Sequence, residues 1–500
     1  MTGYSLLTNP HLHRIPVVIA IIFCSLIFYE QEASSEPLFV EVSQKAGIHL
    51  PQACEGAAIG DVNNDGLMDI LVAVHEGSAT IYLNQGNMRF KNSQTEGKTN
   101  PFADRNMAAI LGDIDNDGDL DAYLTRTKGN RLYKNDGKGN FKEITGEAGV
   151  GNTGFSRGSC FADFNNDGRL DLYVVNSDET PNALYINLGQ NRFKDTAKES
   201  GTGDRGKGYG LAVGDIDGDD DLDIFVVNIK GEDPVRSQCR LYLNNGMAQF
   251  KEVGVQAGVA NTGHGHGAHF ADYDNDGDLD LFVAIVAGRN RLFINDGKGK
   301  FKDRAKEKGI EDSGQHVGCA AGDFDLNGGL DVFVTAWGTN RLYFNQSGGS
   351  FEEKSEDSGV RLTDKFTGIA LGDLDGDGDL DVYVANYGKD LLYENRLNTA
   401  EKVNPANFIQ VTVRGKRSNR SGIGSKISLM QQTVDGRHEP FVGYREISGG
   451  GNYNSMNAPS AHFGISAAGP FSLRVRFPST GLEVIRKDIQ PGSKLLIEEP

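Results

Sequence analysis

The nine residues DIDNDGDLD at 113–121 carry Asp at positions 1, 3, 5, 7 and 9. Carboxylates this crowded are costly unless something positive is held between them. Hard oxygen ligands at alternate positions suit Ca²⁺, which takes six to eight oxygens in a flexible shell. Positions 1, 3 and 5 would turn inward, position 7 would lend its backbone carbonyl, and position 9 would close the shell. Gly at position 6 permits the sharp turn. The expected ligands here are Asp113, Asp115, Asp117 and Asp121. The loop is not an EF-hand, which places Glu at position 12. Position 12 is apolar in every copy, as at Leu124 and Val174.

Six further copies place the same chemistry along the chain. Their expected ligands are Asp61, Asn63, Asp65 and Asp69; Asp163, Asn165, Asp167 and Asp171; and Asp215, Asp217, Asp219 and Asp223. The last three contribute Asp272, Asp274, Asp276 and Asp280; Asp323, Asp325, Asn327 and Asp331; and Asp373, Asp375, Asp377 and Asp381. Asp and Asn also build turns with no metal at all. Seven copies with Asp fixed at positions 1 and 9 favour the ion. The loops beginning at 113, 272 and 373 combine four carboxylates with Gly at position 6 and are expected to bind most tightly. In the loop at 215, Asp220 replaces that Gly and predicts strain. Seven Ca²⁺ would offset most of the net charge of −19.

The loops recur at intervals of 52, 50, 52, 57, 51 and 50 residues, the period of a propeller or solenoid. Each unit holds four strand-like stretches: a Gly/Ala-rich run into the loop (GLAVGD), a period-2 run out of it (LDIFVVN), an NRLYKN-like stretch, and one opening on Phe (FKEITGEAGV). Four short strands per unit are a propeller blade. The Phe-led stretch has a copy at 39–48, before the first loop, and a degenerate one at 90–99. The last unit, after LLYEN, lacks its own. The expected fold is therefore all-β: a seven-bladed propeller over 37–400, closed by an N-terminal strand, then a small β domain over 404–500. Closure would leave no sheet edge exposed. The tail carries Arg414, Lys416, Arg417, Arg420 and Lys426 with no acidic residue across 409–430. It reads as an appendage whose loss leaves the ring whole.

Residues 1–36 read as a signal peptide and short linker: Arg14 precedes the apolar run 15–29, and small residues follow. The rival reading is an uncleaved anchor. The acidic balance argues against nucleic acid and against anionic lipid as partners. Without Cys24, four cysteines remain. Cys160 and Cys319 occupy equivalent repeat positions and read as buried hydrophobes, and no bridge is assigned, Cys54 and Cys239 included. His264, His266 and His269 precede the fifth loop and His316 the sixth; they read as polar lining near the axis, with a transition-metal site as the alternative. Sequons at Asn345 and Asn419 fall inside structural motifs. No nucleophile elbow, phosphate loop or zinc-protease motif is present.

The loops, the Gly-Asp before them and the strand after them resemble the FG-GAP/VCBS repeats of integrin α-subunit propellers, over about 38–398. RSNRSGIGSKISL, REISGGGNYNSMNAPSAHFGI and the last 26 residues resemble the ASPIC/UnbV domain. The whole chain is thus similar to the cartilage acidic protein family and its bacterial relatives. That resemblance implies a secreted, calcium-binding propeller with this tail. The expected function is a monomeric, non-catalytic extracellular module that binds a protein or glycan. The alternative is a carbohydrate-active enzyme or lectin using the propeller face.

Overall fold

The computed structural model describes residues 37–500 apart from 51, 94–99, 103–104, 230, 232, 347, 399–406 and 434–437. The expected signal segment, the end of the degenerate copy at 90–99 and the boundary expected at 400–404 lie outside the described residues.

Seven four-stranded antiparallel blades form the ring. The second blade is typical: Asn106–Gly112, Asp121–Arg126, Arg131–Asn135 and Phe141–Glu143, paired in that order. Burial grades outward. In the first strand all seven residues are buried, whereas in the fourth only Phe141 is, Lys142 and Glu143 being exposed. Blades stack on both faces, so inner strands are apolar throughout and only the rim shows a two-sided pattern.

The ring closes as expected. The strand Phe39–Glu41 is the fourth strand of the seventh blade, with Phe39 opposite Asn395 and Glu41 opposite Tyr393. Phe39 is buried edge-on against Phe324 and Tyr393, at ring centroid distances of 5.6 and 6.3 Å. Between the last two blades Asp331–Thr339 runs long enough to pair with the next blade, Trp337 opposite Lys365.

The tail corrects the expectation of an appendage. It forms two sheets of its own, Phe441–Glu446, Lys426–Gln431, Phe471–Arg476 and Glu483–Ile489 in one, Ala461–Gly464, Phe408–Arg414 and Ser493–Glu498 in the other. Yet Leu38–Pro500 is a single compact unit, because residues 447–460 enter the ring along its axis. The amides of Phe161 and Ala109 donate to Gly449 O and Asn454 O, Met456 N donates to Ala57 O, and Ala458 N donates to Leu371 O. This plug therefore bonds to the inner strands of blades one, two, three and seven, and bridges Ala268 in the fifth through Asn452. Close approach explains the Gly-Gly-Gly at 449–451: a Cβ on Gly449 would stand 2.1 Å from Phe161 O.

Cys54, Cys160, Cys239 and Cys319 are all buried and free. The sequon residues Asn345 and Asn419 are buried too, and each side-chain amide is committed: Asn345 Nδ2 to Tyr273 O and Leu330 O, Asn419 Nδ2 to Ile423 O.

Candidate metal centres

Each loop is built by its own acids. The position-1 Asp accepts backbone N–H bonds across the turn: Asp113 Oδ1 from Asp117 N at 3.1 Å and Oδ2 from Gly118 N at 2.8 Å. Position 4 adopts a left-handed conformation in all seven loops, with Asn at four of them and Leu326 at φ 57° in the sixth. Position 6 does the same. Asp220 stands there at φ 75°, where the other loops have Gly, so the strain expected in the fourth loop is present. The tail clamps that residue: Lys426 Nζ reaches Asp220 Oδ1 at 2.7 Å and Arg476 Nε reaches it at 2.9 Å.

The position-9 Asp is fully buried and accepts a backbone N–H on each carboxylate oxygen. Asp171 Oδ2 accepts from Phe164 N at 3.0 Å, and Oδ1 from Asn187 N at 2.8 Å. The pattern repeats at Asp69, Asp121, Asp223, Asp280, Asp331 and Asp381. That Asn is itself a device the sequence reading missed. Asn187 Nδ2 donates to Leu170 O of its own blade and, at 2.8 Å, to Ile114 O of the preceding blade. Asn84, Asn135, Asn244, Asn295, Asn345 and Asn395 likewise reach a carbonyl of the preceding blade, with Asn84 reaching Leu374 O across the closure. Seven locks thus run round the ring. The signal was an Asn at the end of every third strand; its partner in the preceding blade has no signature.

Carboxylate oxygens gather within 4.8 Å of one another in five loops: Asp113, Asp115 and Asp121; Asp215, Asp217 and Asp223; Asp272, Asp274 and Asp276; Asp323, Asp325 and Asp331; Asp373, Asp375 and Asp381. Positions 1, 3 and 9 meet in four of them, while Asp117, Asp219 and Asp377 at position 5 stand outside the groups. The loops of Asp61 and Asp163, with Asn63 and Asn165 at position 3, gather no such trio among the described residues. His264, His266 and His269 join no such group either. His316 Nδ1 is paired with Asn290 Oδ1 at 2.9 Å.

Two observations fit a cation here. The position-3 oxygens Asp115 Oδ1, Asp217 Oδ1 and Asp274 Oδ1 are buried with no hydrogen-bond partner. Burial also pushes the carboxyls up, Asp113 to about 6, Asp272 and Asp323 to about 7, Asp121 and Asp280 to about 8. A hard divalent ion would supply the charge that restores them to carboxylates. The loops are not equivalent. In the second, Lys134 bonds Asp115 and lies 3.2 Å from Asp117 Oδ2, so an internal ammonium shares the site. In the seventh, Glu394 holds that place and its charge helps raise Asp375.

The tail sits on these loops. Besides the Asp220 clamp, Lys494 Nζ meets Asp373 Oδ2 at 2.6 Å, Gly464 N donates to Asp323 Oδ2 at 2.9 Å, Ser479 bonds Asp163, and Arg420 N donates to Asn116 Oδ1. The tail cations that meet loop acids are Lys426, Arg476 and Lys494; of the basic run at 414–426 only Lys426 does so.

Profiles of the FG-GAP-like repeat match residues 61–124, 113–174, 163–226, 233–283, 272–334 and 323–384. The chain belongs to the FG-GAP-like repeat family. Its tail matches ASPIC and UnbV over 415–500. Among curated proteins, the FG-GAP chain is 28% identical to Cartilage acidic protein 1 of Mus musculus over 343 residues, 60% of this chain and 51% of that protein. The human protein is 26% identical over 353 residues, 61% of this chain and 51% of its own length. The chain therefore spans about half the length of the curated relatives it matches. Among solved structures, an Agrocybe aegerita lectin that recognises non-reducing terminal N-acetylglucosamine aligns with 69% of this chain and 89% of its own, at 19% identity and TM-score 0.41. The BP39L lectin of Burkholderia pseudomallei aligns with 70% and 98%, at 13% identity and TM-score 0.47.

Proposed function

We propose that this chain is a secreted, non-catalytic binding module whose repeat loops hold Ca²⁺ and whose partner is an extracellular protein or glycan. One observation carries the reading: the acidic clusters lie in turns of the repeat, tied to their own backbone amides and roofed by the tail. That arrangement holds a cation and stiffens a ring; it does not offer a carboxylate pair to a substrate. Asp115, Asp217 and Asp274 are the leading ligands, joined by Asp113 and Asp121, by Asp215 and Asp223, and by Asp272 and Asp276 respectively. Ca²⁺ there supplies charge compensation and cross-links the turn. Among the described residues no helix is long and apolar enough to cross a membrane, and the apolar run at 15–29 supports export. A net charge of −19 speaks for partners other than nucleic acid.

The test is capture by the full chain, with calcium and with chelator, on arrayed glycans and extracellular proteins, alongside a polysaccharide cleavage assay. Saturable, calcium-dependent capture without cleavage is expected. Turnover of any polysaccharide would replace this reading with the carbohydrate-active enzyme.

A further inference from the structure

Six residues before the first Asp of each loop stands one side chain per blade: Glu55, Met107, Arg157, Tyr209, His266, Val317 and Thr367. The residue after it is Gly in six blades and Ala108 in the other. The loops and the Asn locks repeat their chemistry seven times, but this position does not. A shared structural duty would ask for one residue type at equivalent places around an axis. A mixture of charge, aromatic ring and apolar group suits an asymmetric ligand.

These side chains belong to the end of the channel away from the acidic loops, and Tyr453 of the plug lies beneath them. Arg157 donates from Nη1 to Tyr453 Oη at 2.7 Å, and its guanidinium lies 4.2 Å from the Tyr209 ring centroid. His266 stacks on Tyr453 and meets Tyr209 at a tilt, with Trp337 edge-on at 5.4 Å. On the far side, Glu55 accepts from Tyr387 Oη at 2.6 Å and lies 3.2 Å from His75 Nδ1. Three nitrogens are buried with no partner: Arg157 Nε, Trp337 Nε1 and His266 Nδ1. Orphaned buried polar groups are rare in folded proteins, and Arg157 Nε and Trp337 Nε1, which can only donate, ask for an acceptor. Among the described residues Arg157 is stacked and makes no direct ion pair, the Glu55 carboxylate acting on it only at longer range. Its planar fork is the group best matched to a carboxylate. Trp337 and Tyr387 are half-buried and flank Lys365 in neighbouring strands.

We propose that this end of the channel binds an acidic sugar residue, its carboxylate received by Arg157 and its ring packed against Trp337 and Tyr387. The inference rests on the reading of the chain as a binding module and names the ligand class for one face of it.

Trp337 is the only tryptophan in the chain, so its emission reports on the site directly. The full chain in calcium is titrated with sodium glucuronate and sodium galacturonate, with glucose and sodium acetate as controls. The expected result is a saturable change with a uronate, at least about tenfold weaker with either control. Arg157→Met at unchanged melting temperature should weaken the uronate about tenfold or more, the loss of a charge-assisted bond. If that variant melts early, Trp337→Phe followed by calorimetry carries the same expectation. No saturable uronate response, glucose binding as well as uronate, acetate sufficing alone, or unaltered affinity in the folded variant would each overturn the proposal. Continued capture of a protein or glycan by a chain that ignores uronates would overturn this site and leave the binding-module reading standing.

Discussion

Replacing Asn187 by Ala tests the ring of locks most sharply. The side chain is buried and makes three bonds: to Ile114 O at 2.8 Å, to Leu170 O at 3.0 Å, and from Gly189 N at 2.9 Å. Both carbonyls are left without this donor, and a buried group losing its partner costs about 1–3 kcal/mol. A total loss of about 3 kcal/mol is expected, against about 0.5 kcal/mol or less for an exposed control such as Asn140→Ala. The assay is chemical unfolding followed by two probes, comparing midpoints at unchanged slope. It is run in calcium and again in chelator. The bonds that hold Asp171 come from backbone amides and survive the substitution, so the loss should be the same in both buffers. A loss below about 1 kcal/mol, or one present only with calcium, would refute the view that these side chains tie blade to blade independently of the metal.

Four further outcomes follow from the geometry. Chelation should lower the melting temperature and calcium restore it, because an ion bound to the native state alone adds stability by mass action; Asp274→Asn should then lose one bound ion by elemental analysis, while Asn165→Ala loses none. The chelated protein should grow less stable from pH 5 to pH 8, since Asp121 and Asp280, pushed up to about 8, hold protons when folded that the unfolded chain releases near 3.8. With calcium the slope should reverse, protons competing with the ion, so parallel slopes in paired melts would count against metal in the loops. Phe39→Ala should cost about 3–5 kcal/mol although it touches no ligand, and truncation after residue 398 should yield aggregating protein rather than a free ring, both read by size-exclusion chromatography and melting.

What could be read from the sequence was whatever repeats. The seven loops, the four strands of each blade and the displaced closing strand are all copies of one another, and the closing strand was found because the seventh unit lacked it. The locks were half visible: Asn135 and its counterparts recur in the third strand, but their partners are carbonyls, which carry no residue type. The acidic clusters were legible in kind but not in detail. Asp117 and Asp219 share the alternation of their neighbours yet stand outside the gathered trios, and Lys134, inside the third strand Arg131–Asn135, reaches into the loop of its own blade. The plug was illegible. Gly449, Gly450 and Gly451 look like a loop because nothing in a run of small residues says that its partners are inner strands some 300 residues earlier.

The plug also orders events in time. Phe39–Glu41 is made almost first and waits for Leu391–Asn395, while residues 447–460 come later still. Until then every partial ring has two open sheet edges, the state most prone to edge-to-edge association. The plug is tethered at both ends to strands that rest on the acidic loops, so it inserts from that side as a hairpin, either with the ring closing around it or into a ring already shut. A chain stalled anywhere before residue 460 is therefore a ring without its axle, however well its individual blades have formed.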